Sequence, residues 1–349
     1  MRKIILCTLW LLSLLIYTSC TNIKTVMINT EKPAVIALTK QCKNIGIVNN
    51  AIPQPETWGY IKYKYTHKGE RIDEQVSIEY QNTAKTLTES LFQELIEINK
   101  FDNISLYEPV LRHDLDFMQE LPIDTTVAKE ICAVMNTDIL ISIDQFLVNT
   151  IADEVPYDFG ATLRYLDAKT NTRLRVYSKT GKQLTDPLLI SDSIYWVATY
   201  IANKLISDDS IPSLEDAVKE ATAYTAKQIA KAFAPYWTQE YRIYYGDVKE
   251  ASKKVENNEW LEVIQIWQQA FDKETKTKRK ARIAHNIALG YEVSDNINEA
   301  LKWSQTSIEL FAEALDTSID TYNLVQANNY QQQLISRYND FRILDLSKD

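Results

Sequence analysis

Seven glycines and three histidines in 349 residues are few, and each shortage closes off a kind of chemistry. No Gly-rich phosphate loop and no dinucleotide fingerprint occurs, both of which need bare backbone against a phosphate. His67, His113 and His285 stand far apart, so no pair has metal-ligand spacing. His113 lies in "RHDLD" with Asp114 and Asp116, but no second ligand group follows, and a solvated polar loop is the plainer reading. Neither a Gly-x-Ser-x-Gly elbow nor an acidic calcium loop is found. The carboxylates Asp153 and Glu154 are adjacent in sequence rather than set across a cleft. The expectation is therefore a non-enzymatic chain with no catalytic residues, no metal and no cofactor.

Cysteine is also scarce: there are four, too few for a disulfide framework. Away from the N-terminus only Cys42 and Cys132 remain, either paired in an oxidising compartment or left as buried thiols. Basic charge is outnumbered, 38 against 47 acidic residues, for a net charge of −9. That balance argues against nucleic acid, whose phosphates need a basic face. The single basic run, "KETKTKRKAR" (Lys273 to Arg282), reads as a solvated helix-to-helix connection, with partner docking as the alternative.

Only one long apolar run exists, Ile4 to Tyr17, and it is shorter than the ~20 residues of a spanning helix. Arg2 and Lys3 precede it, while small residues and Cys20 follow, which are the parts of a secretory signal. Tyr17-Thr18-Ser19-Cys20 resembles the bacterial lipoprotein signal, with Tyr17 where that pattern prefers leucine. The resemblance implies a cleaved leader over 1–19 and an acylated Cys20. Several acyl chains at ~0.8 kcal/mol per buried methylene would make a stable anchor. With Thr21 and Asn22 after the cysteine, and no aspartate, the expected location is the outer membrane, facing the periplasm rather than the cell surface.

Beyond a tether over 20–31, the segment 32–211 reads as a mixed α/β domain. Strands are expected at "PAVIAL", "NIGIVNN", "NISLYEPV", "TDILISIDQFLVN", "FGATLRYLDA", "TRLRVYSK" and "PLLISDSIYW", with turns at "KTN" and "KTGK". Leu87, Leu91, Leu95 and Ile98 give one helix its apolar face, and Val127, Ile131 and Val134 another. Between Ala51 and Glu79 lies an aromatic stretch with Trp58, Tyr60, Tyr63 and Tyr65. It is read either as a surface excursion with an edge strand or as a ligand loop. Connecting helices are expected over 212–246, opened by Ser213 as N-cap and stopped at Pro235.

From 247 to 349 the sequence is periodic. "NNEWLEVIQIW" and "DNINEALKWS" superpose at an offset of 37 residues, placing Val263 on Ala300 and Trp267 on Ser304. That offset is close to the ~34 of a tetratricopeptide repeat, which the second copy resembles through Ala284, Ile287, Ala288, Tyr291 and Ala300. A last helical segment would cap the array. The first helices of such arrays line a concave face, which makes Lys254, Asn257, His285 and Asn286 the expected partner-binding residues.

The order "PAVIALTKQCKNIGIVNNAIP", "LRYLDAKTNTRLRVYSKTGKQLTD", "APYWTQEYRIYYGDVKEA" and "NNEWLEVIQIW" resembles an outer-membrane lipoprotein family of Bacteroidetes. Where this chain has Asn49-Asn50, that family often carries Arg-Ser. The N-terminal half is similar in strand-helix order to curli-secretion and related periplasmic assembly lipoproteins. The resemblance implies a membrane-anchored scaffold or assembly factor with an envelope protein partner, and homo-oligomer formation by analogy with the curli channel. The alternative is a glycan- or ligand-binding surface lipoprotein that uses Trp58, Tyr60 and Tyr63.

Overall fold

The computed structural model describes residues 23–36, 38, 42–65, 71–75, 82–114, 116–202, 204–207 and 210–348. The described residues within 34–234 form one compact unit, and those of 23–33 and 235–348 form the other. The first strand, β1 (Ile23–Lys32), belongs to the second unit.

The sheet of the first unit is built on one long strand. Strands β2 (Asn44–Asn49), β3 (Tyr60–Tyr65), β4 (Arg71–Gln75) and β5 (Asn103–Tyr107) all lie on one side of β6 (Ile139–Tyr157). The early part of β6 pairs in parallel with β2, which carries β5, and its later part pairs in parallel with β3, which carries β4. On the other side β7 (Ala161–Ser178) runs antiparallel along its whole length, followed by β8 (Leu188–Ile201) and the two-residue β9 (Lys204–Leu205). "KTN" is not a turn: Lys169, Thr170 and Asn171 pair in register with Asn149, Val148 and Leu147, and Thr170 is buried. The β6–β7 turn falls at residues 158–160, where Phe159 and Gly160 take positive φ. Among the described residues of "PAVIAL", 33–36 and 38, none lies in a strand. Its Ile36 instead turns inward and donates its N–H to Ala232 O at 2.8 Å.

Helix α1 (Thr83–Ile98) buries Leu87, Leu91 and Leu95 completely, a face worth ~1.5–3 kcal/mol per side chain. With α3 (Leu214–Ala230) it covers Ile45, Ile47, Ile139, Ile141, Ile143, Phe146 and Val148. The change from odd to even positions along β6 comes from a bulge between Ile143 and Gln145. Without that extra residue, Phe146 and Val148 would face the opposite side. Helix α2 (Thr125–Met135) covers the other face with Ala128, Ile131 and Cys132, while Val127 and Val134 are exposed. Its buried stripe is therefore turned from the expected one, because Ala128 and Cys132 bracket Ile131 closely enough to seat the helix on Val48 and Leu140. Cys42 and Cys132 are not joined in a disulfide.

The second unit holds a ribbon and a run of helices. The expected tether from residue 23 onward is β1, paired antiparallel with β10 (Tyr236–Tyr245) from Ile23↔Tyr245 to Lys32↔Tyr236. The region expected as connecting helices is thus one helix, α3, in the sheet unit and one strand, β10, in this one. Helices α4 (Lys249–Glu256), α5 (Trp260–Lys273), α6 (Thr277–Val293), α7 (Ile297–Glu313) and α8 (Ser318–Lys348) follow, each packed on the next. The matched positions Val263 and Ala300, and Trp267 and Ser304, are all buried. A Cβ at Gly290 would stand 2.5 Å from Ile264 Cγ1, so glycine is what lets α5 and α6 approach there. The fold is α+β: a sheet unit, then a helical region.

Candidate functional site

The inner side of the helical region is already filled by the chain's own ribbon. Alternate residues of β10 turn toward the helices, and the backbone is gripped from α6. Asn286 Oδ1 accepts from Tyr245 N at 2.8 Å, and its Nδ2 donates to Tyr245 O at 2.7 Å. One amide side chain thereby satisfies both backbone groups of a strand residue, as a neighbouring strand would. His285 Nε2 lies 3.1 Å from Ile243 O, so the ring donates there and carries its proton on Nε2. Its other nitrogen, Nδ1, is buried with no hydrogen-bond partner among the described residues. Burial holds this imidazole down to about 4, and the rings of Tyr245 and Tyr330 pack on it at 5.4 and 4.7 Å.

Beside these contacts sits a buried ionic hub. Glu292 accepts from Arg242 Nη2 at 2.9 Å, Arg337 Nη1 at 3.1 Å and Tyr330 Oη at 2.9 Å. Arg242 also reaches Glu240 at 2.6 Å, which in turn meets Lys32 at 2.8 Å. Burial pushes the Glu240 carboxyl up, but Lys32 and Arg242 outweigh it and hold the group at about 2. Lys32 of β1 also bonds Asp340 of α8 at 3.1 Å. Strand, helix and cap are thus bonded through charges that all have partners, the condition under which buried ions are tolerated.

His285 and Asn286 are therefore not an open recognition surface: both are buried, with their bonds committed to β10. Lys254 pairs with Glu259 and, at 2.8 Å, with Glu262, and hydrogen bonding to Glu259 raises its pKa. Asn257 is the exposed C-cap of α4 and donates to Glu259 Oε1 at 2.9 Å. The four residues do not form one cluster. The alternation in "IKTVMINTEK" and "YWTQEYRIYY" was the sequence signal for the ribbon that displaces them.

On the sheet unit the aromatic stretch does form a surface. Gln54 fills the gap on β6 between β2 and β3, its Nε2 donating to Val148 O at 2.9 Å and to Trp58 O at 3.0 Å. Its Oε1 accepts from Val148 N at 2.8 Å. Gly59 takes a φ of 95°, which brings Trp58 edge-on to Phe117 at 5.8 Å. Trp58, Tyr60 and Ile61 line an open groove of about 560 Å³ with Asn149 and Thr150. Tyr60 and Tyr63 line a second groove of about 270 Å³, with Tyr165 and Tyr200 across it. There Tyr165 donates to the buried Asp153 at 2.7 Å, while Arg164 pairs with Glu154 at 2.8 Å and lies over the Tyr200 ring at 4.2 Å. Sequence reading missed Tyr165, Tyr200 and Arg164, which only strand pairing brings beside Tyr63.

Asn50 is structural: its Nδ2 donates to Asp144 at 2.9 Å and to Leu121 O at 2.8 Å. His113 is exposed, and the aspartate next to it is held by Arg112 at 2.6 Å. Among the described residues no group of three or more His, Cys, Asp and Glu converges as a metal site, and no helix is long and apolar enough to cross a membrane. Cys20, the leader over 1–19 and His67 lie outside the described residues.

Fold and site define a two-part α+β protein, in which one unit presents aromatic grooves on a sheet and the other clasps a strand ribbon with helices. The chain belongs to the family described as a domain of unknown function, DUF8603, which matches residues 42–245. A second domain of unknown function, DUF6340, matches residues 249–338. Neither description mentions lipoproteins of Bacteroidetes or tetratricopeptide repeats. No curated protein matches. Among solved structures, a neuraminyllactose-binding hemagglutinin homolog from Helicobacter pylori is similar at 9% identity and a TM-score of 0.27, over 59% of this chain and 89% of its own. A DUF330-family protein from Xanthomonas campestris is similar at 10% identity and a TM-score of 0.24, over 57% and 88%.

Proposed function

We propose that this is a membrane-anchored envelope lipoprotein, tethered through Cys20, that acts by binding as a scaffold or assembly factor and recruits its partner through the sheet unit. The observation that carries this reading is the filling of the helical region's inner face by β10, which leaves recognition to the sheet. The helical region, a tetratricopeptide-like array in this reading, clamps the ribbon that follows the anchor. Strand β8 offers the matching surface. Among the described residues no strand pairs with its outer edge from Leu188 to Val197. Leu189, Tyr195 and Val197 are exposed along it. Only Asp192, whose Oδ1 takes Ser193 N at 2.8 Å, blunts it. An edge of this kind is complementary to an extended segment of another chain.

The test is site-specific photo-crosslinking from Ser191 in the full chain, in intact envelopes, with and without Leu189→Lys plus Tyr195→Lys. A partner band lost in the double variant and kept in Lys254→Ala supports the reading. A band that survives the lysines, or cross-links only from Lys254, overturns it.

The aromatic grooves favour a second reading, a glycan-binding lipoprotein, since Trp and Tyr faces stack on sugar rings and Asp153, Glu154 and Arg164 could meet hydroxyls. Calorimetry with envelope oligosaccharides, on wild type and on Trp58→Ala plus Tyr63→Ala, decides it. No heat from the unmodified protein removes this reading.

A further inference from the structure

The outward face of the β1–β10 ribbon carries large exposed apolar side chains among its polar ones. Met27 stands opposite Tyr241 in register, and Trp237 lies further along the same side of β10. They are 49%, 72% and 68% exposed. Register places Thr25, Asn29, Glu31, Gln239 and Ile243 around them, so Glu31 is the one charged residue on that face. A thioether, an indole and a phenol held out on a two-stranded ribbon form the side-chain set of a membrane-water interface, where amphipathic rings sit among headgroups.

The chain supplies the occupant. Cys20 stands three residues before Ile23, so an extended backbone puts the start of β1 within about 10 Å of it. The basic side chains at that end of the ribbon are paired with carboxylates, Lys278 with Asp320 at 2.8 Å and Arg279 with Glu274 at 3.2 Å. Arg279 Nη2 donates to Asp247 O at 3.3 Å and Arg282 pairs with the Asp247 carboxylate at 3.3 Å, two residues past β10. Together with Lys276 and Lys278 they line a groove of about 510 Å³.

We propose that Met27, Tyr241 and Trp237 rest in the headgroup layer of the membrane that holds Cys20. The ribbon then lies along the membrane and fixes how the helical unit stands on it. This rests on the lipoprotein reading above.

The test reconstitutes the full acylated protein into phosphatidylethanolamine vesicles containing phosphatidylglycerol and a headgroup-region quencher, and compares it with Trp237→Phe. The expected result is lipid-dependent tryptophan quenching that falls by at least half in Trp237→Phe, while both proteins float with the vesicles. Equal quenching in the two, or full accessibility of Trp237 to iodide on vesicles, overturns the proposal and points to a protein partner on this face, with the anchor intact. Mass spectrometry of the N-terminal peptide separates the two readings. If Cys20 is unmodified the anchor reading falls, and vesicles added to the same protein then decide the ribbon: quenching of Trp237 supports contact and its absence overturns it.

Discussion

Removing the Asn286 side chain should free the ribbon from the helices without unfolding either. In Asn286→Ala, Tyr245 loses the acceptor for its N–H and the donor for its C=O, contacts of 2.8 and 2.7 Å in a buried position. A buried polar group left without a partner costs ~1–3 kcal/mol, so two give roughly 2–6. The better helix propensity of alanine offsets about 0.7 kcal/mol of this at most. A net loss of ~1–5 kcal/mol should appear locally, because the Glu292 hub still holds Arg242. Hydrogen exchange by mass spectrometry reads it directly. At ~1.4 kcal/mol per tenfold, amides of Ile23–Lys32 and Tyr236–Tyr245 should exchange at least roughly tenfold faster, while those of α1 and β6 keep their rates. Unchanged protection in β10 would refute the idea that Asn286 clasps the strand.

Two further outcomes follow from other buried groups. Arg175→Met leaves Asp144 buried at the β6 bulge, with Ser142 at 2.6 Å and Asn50 at 2.9 Å but no cation at 2.5 Å. It should cost ~3–5 kcal/mol in denaturant unfolding, much of it recovered by adding Asp144→Asn. His285 is neutral when folded, held at about 4 by burial, whereas an unfolded histidine titrates near 6.5. Its contribution is complete above pH ~6.5 and is lost as pH falls toward 4, roughly 3 kcal/mol at 1.36 per pH unit. The Glu240 contribution is depressed to about 2 and fades only below ~4.5, so the upper part of the acid loss belongs to histidine. Urea unfolding from pH 7 to 4 should show this slope in wild type and a flatter one in His285→Phe.

What was legible in the sequence is what period and end signals encode locally. Leu87, Leu91 and Leu95 mark the buried face of α1 because helical spacing puts them in one row. Ser213 opens α3 as expected, accepting from Asp216 N at 3.1 Å. The superposed Val263 and Ala300 mark equivalent buried positions because each helix pair meets the same packing problem. Three features needed the tertiary structure. Strands β1 and β10 each show an alternation, but they lie more than two hundred residues apart, so no local pattern says that they pair with one another. The bulge at Asp144 shows only when a buried Arg175 is there to meet the carboxylate. His285 and Asn286 look like outward polar residues on a repeat helix, and polarity alone cannot say whether the bond partner is another protein or the chain's own backbone. By itself the sequence determined the helices of the C-terminal region and the apolar face of α1, though not strands β1 and β10, since side-chain spacing along a few turns suffices for that. Only the tertiary structure decided what those faces meet, because a buried hydrogen bond is worth making only with the particular strand that long-range folding brings within reach.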